Sequence, residues 1–194
     1  MRLYVNKSTG YFGTADPDCA LVATLNTILG HGDREAAKLL GVRRRELYSD
    51  LFRVSERWEE VAGQDIHMEE IPELIERFFE GRIYGIGYFG DYKGSDTVPE
   101  GMERYFVIEK GIRIPFPSVL VTDVGKRLVV NVDPDGNVIN QRQAELPGRH
   151  AYAYLKVAKK FGIYMNELVD SDGTIKYSRP EDHVNFGGIV IKKN

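Results

Sequence analysis

One cysteine stands in this chain, and its setting suits a nucleophile. Asp16-Pro17-Asp18-Cys19 precedes the run Ala20-Leu21-Val22-Ala23-Thr24-Leu25-Asn26-Thr27-Ile28-Leu29, which Gly30 closes. Asp16 fits an N-cap and Pro17 the first helical position, so the spacing predicts a helix with Cys19 third in it. Unpaired backbone N–H groups and the positive end of the helix dipole favour a thiolate there. Asp16 and Asp18 act against it unless an imidazolium outweighs them. A thiolate so prepared attacks carbonyl carbon. The plainer alternative is a small buried apolar residue, the common fate of a free cysteine.

Four histidines could supply the base. His31, between Gly30 and Gly32, suits a helix end for structural reasons. His67 reads as a surface residue, and His183 lies in the polar stretch Pro180-Glu181-Asp182-His183. His150 opens the alternating run His150-Ala151-Tyr152-Ala153-Tyr154-Leu155-Lys156-Val157, in which His150, Tyr152 and Tyr154 share one face of a strand. A hairpin centred near Ala158 would set Asn166 opposite His150 as an orienting amide. A turn at Lys160-Phe161-Gly162 would break that register. Taken singly, His150 also reads as a satisfied structural histidine and Asn166 as an ordinary polar strand residue.

His150 follows Cys19 by 131 residues and Asn166 follows it by 147. This resembles the papain-like cysteine proteases, in which histidine and asparagine follow the cysteine by roughly 130–150 residues. Phe186-Gly187-Gly188-Ile189-Val190-Ile191-Lys192-Lys193 is similar to the Gly-rich turn and final strand of that family. The resemblance implies Cys19 as nucleophile, His150 as general base and acid, and Asn166 as orienter. It implies an oxyanion hole at the Cys19 N–H, with Asn6 or Thr14 replacing the family's glutamine, whose position here is Gly13. The motifs depart from the family's, with Asp18-Cys19-Ala20-Leu21-Val22 for Cys-Gly-Ser-Cys-Trp and Asn166-Glu167-Leu168-Val169 for Asn-Ser-Trp-Gly. Asp18-Cys19 before an apolar helix also resembles the bacteriocin-processing, double-glycine leader branch, which places an acidic residue after the histidine. The implied reaction is cleavage of a peptide or isopeptide bond through a thioester, on a peptide or protein substrate, with no cofactor and no metal. The rival expectation, prompted by Gly13 and the acids beside Cys19, is a catalytically inactive papain-like module that serves as a structural or binding component of a larger assembly.

The elements that must hold these residues divide the chain in two. A helical subregion is expected over about 16–80 and a strand-rich one over about 82–194, giving one α+β domain over 1–194 with helices on an antiparallel sheet. Beyond the cysteine helix, which is apolar almost all round and should be buried, helices are expected at Asp33–Leu40, within Arg43–Ala62 and at Met68–Phe79. Strands are expected at Arg82–Phe89, Tyr105–Ile108, Val119–Val124, His150–Val157, Gly162–Leu168, Thr174–Tyr177 and Gly187–Lys192. Arg127–Val132 should pair with Val119–Val124 through Gly125-Lys126. By propensity alone Arg149–Lys160 could equally be a helix. Gly85-Ile86-Gly87-Tyr88-Phe89-Gly90 nearly spells a dinucleotide fingerprint but lacks a following helix, and Asp133-Pro134-Asp135-Gly136 reads as a turn rather than a calcium loop.

A net charge of −3 argues against a nucleic-acid or anionic-membrane partner, although Arg43-Arg44-Arg45 is a local basic spot. A lone cysteine excludes internal disulfides and multi-cysteine metal sites and suits a reducing compartment. Met1–Asn6 lacks the apolar core of a signal peptide and no stretch is long enough to span a bilayer, so a cytoplasmic protein is expected.

Overall fold

The computed structural model describes residues 19–61, 66, 68–89, 106–107, 113–114, 117–124, 126–132, 138–145, 149–160, 162–171, 173–178 and 183–194. Asn6, Gly13, Thr14, Asp16, Pro17, Asp18, His67 and the Asp133–Gly136 turn lie outside them.

The front of the chain is helical. Helix α1 (Cys19–Gly30) is buried from Ala20 through Leu29, as its all-round apolar pattern requires. Within it, Thr24 satisfies its hydroxyl locally, Oγ1 donating back to the Ala20 carbonyl at 2.7 Å. Helix α2 (Asp33–Leu40) ends at Gly41, and helix α3 (Leu47–Trp58) buries Leu47, Leu51, Val54 and Trp58 at the expected spacing. Helix α4 (Ile71–Phe78) carries Pro72 in its first turn and stacks Phe78 on Trp58, ring centroids 5.0 Å apart.

The back of the chain is a sheet, so the fold is α+β. Its strands are β1 (Ile83–Phe89), β2 (Phe106–Val107), β3 (Arg113–Ile114), β4 (Ser118–Val124), β5 (Lys126–Val132), β6 (Val138–Glu145), β7 (Arg149–Lys160), β8 (Ile163–Val169), β9 (Ile175–Ser178) and β10 (His183–Lys193). Eight of them form one antiparallel sheet in the order β1-β10-β4-β7-β8-β9-β5-β6, while β2 and β3 pair separately. Helix α1 packs on β7 and β4 and is flanked by α2 and α3. Val119, Val121, Ala151, Ile189 and Ile191 join its apolar residues in one core. Arg149–Lys160 is a strand, because its aromatic and alternating pattern outweighs helix propensity. Gly85 and Gly87 lie inside β1, which disposes of the dinucleotide fingerprint.

Two expectations about pairing are corrected. Strand β5 does not pair with β4; it pairs with β6 and β9, and β4 is filled on its two edges by β10 and β7. One residue separates β4 from β5, too few for the two-residue loop that closes a tight hairpin. The second correction concerns the β7–β8 hairpin. It turns between Lys160 and Ile163, which face each other, with Gly162 at φ 79°. Val157, not His150, therefore stands opposite Asn166. No helix among the described residues is long and apolar enough to cross a membrane.

Candidate active site

Element lengths bring Cys19 to His150. At the carboxyl end of α1, Gly30 lies so close to β7 that a Cβ there would stand 2.7 Å from Leu155 Cδ2. From Gly30 back to Cys19 is about 17 Å of helix at roughly 1.5 Å per residue. From Leu155 back to His150 is also about 17 Å of strand at roughly 3.3 Å per residue. Running side by side, the two elements finish level, and the half-buried Cys19 thiol lies close enough to the His150 imidazole to favour its charged form.

The other side of the ring meets an aspartate. His150 Nε2 lies 2.7 Å from Asp170 Oδ1, so Nδ1 is the ring nitrogen that Asp170 does not engage. The His150 side chain is 22% exposed, whereas that of Asp170 is 3% exposed. The Tyr152 ring packs edge-on against the imidazole, centroids 4.6 Å apart.

A β-bulge decides which face Asp170 occupies. Tyr154 pairs with Leu168 but Lys156 pairs with Glu167, so Leu155 is an extra residue in β7. The shift sets Val169 opposite Ala153, and so Asp170 one step further along, on the face of Tyr152 and His150. Without the extra residue Asp170 would align with Ala153 and point away, since a one-residue slip exchanges the faces. Beyond β8 the chain turns tightly: the Gly173 N–H donates to the Asp170 carbonyl at 2.9 Å and the Asp170 N–H to the Thr174 carbonyl at 3.0 Å.

The Asp170 carboxylate is fully engaged. Oδ1 also accepts the Ser171 backbone N–H at 2.7 Å and its hydroxyl at 3.3 Å, and Oδ2 accepts from Lys176 Nζ. Burial alone would raise the Asp170 pKa, but the His150 hydrogen bond and the charges of His150 and Lys176 hold it well below the usual carboxylate range. Burial likewise opposes charge on His150. The hydrogen bonds to Asp170 and Cys19, followed by their negative charges, outweigh it and push His150 up to about 10. The resting ring is thus an imidazolium near neutral pH.

Of the residues singled out in the sequence, Cys19 and His150 come together. Asn166 does not join them: it is buried and accepts a hydrogen bond from the Tyr154 hydroxyl at 3.1 Å. The residue hydrogen-bonded to His150 is instead Asp170, because the hairpin turns at Gly162 and carries the bulge at Leu155. Asn6 and Thr14 lie outside the described residues, and of the oxyanion donors expected only the Cys19 N–H, at the first described residue of α1, falls within them. His31 lies at the far end of α1, and His183 is on β10. Asp170 and Lys176 escaped the sequence pattern. The signal for Asp170 was the acidic stretch Val169-Asp170-Ser171-Asp172-Gly173, which a turn at Gly162 brings beside the start of β7. No group of three or more His, Cys, Asp and Glu side chains among the described residues is disposed to hold a metal ion.

Comparison of the chain with protein-family models, with curated proteins and with solved structures finds no match.

Proposed function

We propose that the protein is a cysteine hydrolase that cleaves a peptide or isopeptide bond through a thioester, with Cys19 as nucleophile, His150 as general acid and base, and Asp170 as orienter. One observation carries this reading: His150 is hydrogen-bonded to buried Asp170 and has the Cys19 thiol near enough to favour its charged form. That is the nucleophile–base–orienter chain of acyl-transfer enzymes.

In acylation the Cys19 sulfur attacks the scissile carbonyl and the Cys19 N–H stabilises the oxyanion. The C–N bond breaks as His150 Nδ1–H protonates the leaving amine. In deacylation neutral His150 takes a proton from water, hydroxide attacks the thioester, and the acid leaves as Cys19 regains its sulfur charge and His150 its proton. Asp170 keeps the ring oriented through both steps. The papain-like layout fits this assignment, and an acidic rather than amide orienter favours the double-glycine leader branch that Asp18-Cys19 also resembles. A leader-bearing peptide is accordingly the substrate class we favour.

The test uses a p-nitrophenyl ester of a peptide ending in Gly-Gly. The expected result is a burst of p-nitrophenol and, after acid quench, a peptidyl adduct on Cys19 by intact mass, absent in Cys19→Ala. A wild-type protein that releases no burst and carries no adduct is instead the inactive binding module.

A further inference from the structure

Lys176 lies on β9 directly opposite Leu168, and so on the face that carries Asp170. Its side chain is 8% exposed and its Nζ donates to Asp170 Oδ2, the oxygen that His150 does not use. A lysine is rarely buried this far without a specific partner. The mechanism above makes no use of it.

We infer that Asp170 and Lys176 act as one electrically neutral orienting pair, in which Lys176 is a positioning residue that cancels the carboxylate charge as felt at Cys19 while leaving Oδ1 free to hold His150. The inference rests on the proposed Cys19–His150–Asp170 reading and deepens it. The reason is the sum of charges in a buried cluster. With a thiolate, an imidazolium and a lone carboxylate the site would carry one net negative charge, and the carboxylate would oppose formation of the thiolate. Lys176 brings the sum to zero. The pair then does what a neutral amide would do, accepting the Nε2–H bond without adding charge to the site. This accounts for an acid standing where the spacing of the sequence led us to expect an asparagine.

Among the described residues, the charges acting on Asp170 come from His150 on β7 and Lys176 on β9, and those acting on His150 from Asp170 and from Cys19 on α1. Removing either member of the pair therefore moves the site in opposite directions. Lys176→Met leaves the carboxylate uncompensated, and the acid limb of Cys19 alkylation shifts to higher pH. Asp170→Asn leaves the ammonium uncompensated, and the limb shifts to lower pH. Each shift is on the order of one pH unit for a buried charge that lies beyond the imidazole. The double variant Asp170→Asn/Lys176→Met restores an uncharged orienter, and its limb returns to the wild-type position.

The experiment is the pH profile of iodoacetamide alkylation for wild type, the two single variants and the double variant, with His150→Ala as reference. Opposite single shifts with recovery in the double variant are the expected result. Shifts in the same direction, or a double variant displaced as far as either single one, overturn the inference. The double variant buries no unpaired charge, so its limb decides between these outcomes even if a single variant does not fold. A wild-type profile that His150→Ala leaves unchanged sinks the Cys19–His150 reading itself, a separate result from failure of the pair.

Discussion

Two aspartates in this protein are buried to the same degree, each 2% exposed, and each is held by two basic side chains. Asp50, on α3, meets Arg53 at 2.5 Å and Arg82 at 2.9 Å. Arg82 also donates to the carbonyls of Phe79 at 3.1 Å and Leu40 at 3.2 Å, tying the ends of α4 and α2 to α3. Asp170, at the end of β8, meets Lys176 and His150. The anion is the same in the two places; the partners set the role. A guanidinium keeps its protons at any working pH and spends its donors on stopping helix ends. An imidazole, unlike a guanidinium, can give up a proton within the working range of an enzyme, and here it has a thiol nearby. The helical cluster is a clasp, the sheet cluster on the proposed reading a proton relay, and the difference lies in what stands beyond the cation.

That contrast breaks most sharply at His150. Replacing it with Ala should lower acyl transfer by about 10³–10⁴-fold, since nucleophile activation and leaving-group protonation vanish together. The rate is read with the p-nitrophenyl peptide ester, and a fall of less than tenfold would contradict the relay. Next come the two aspartates. Asp170→Ala should reduce the rate about 10²-fold or more through loss of ring orientation. Asp50→Asn should leave the rate per folded molecule unchanged while lowering unfolding free energy by about 2–3 kcal/mol, because Arg82 loses its buried anion but keeps some water contact. Rate and urea-denaturation measurements on the two variants separate clasp from relay; matching losses in the two would erase the distinction.

Stability against pH sharpens it further. His150 titrates at about 10 in the fold against an ordinary value of 6.5. Its contribution is therefore whole below pH 6.5, declines above it and is gone above about 10. The stability gap between wild type and His150→Ala should narrow over that range. At the acid side Asp170, depressed from 3.8, gives full stabilisation above pH 3.8 and loses it as the pH falls further. The smallest effect belongs to Asn166→Ala. It should cost about 1–2 kcal/mol by removing the Asn166 acceptor of the buried Tyr154 hydroxyl, with the hydrolysis rate within about threefold of wild type.

The helices were open to sequence reading because their punctuation is local. Gly41 and Pro72 mark the boundaries of α2 and α4 within the chain itself, and the spacing from Leu47 to Trp58 names the buried side of α3. Cys19 and His150 could be singled out for a similar reason, one preceding an apolar helix and the other opening an alternating strand. Their partner could not. The choice between Asn166 and Asp170 depends on a turn displaced by a few residues and on the single bulged residue Leu155, and a shift of one residue inverts the face of everything beyond it. The role of Lys176 was hidden further, because it rests on a strand pairing between β8 and β9 that no local pattern encodes. Pairing of β5 with β6 rather than β4 was lost in the same way: Val138–Glu145 is polar enough to pass for loop.

Relay and clasp differ in the end by the state of one ring, and the pH titration of the His150 imidazole by ¹⁵N nuclear magnetic resonance, in wild type and in Cys19→Ala, reads it directly. We predict a doubly protonated ring through about pH 8 that titrates near 10, and a lower titration point when the thiol is removed, since Cys19 is one of the two groups that hold the proton there. A ring already neutral at about pH 7, with a titration that Cys19→Ala leaves unmoved, would contradict the Cys19–His150–Asp170 relay.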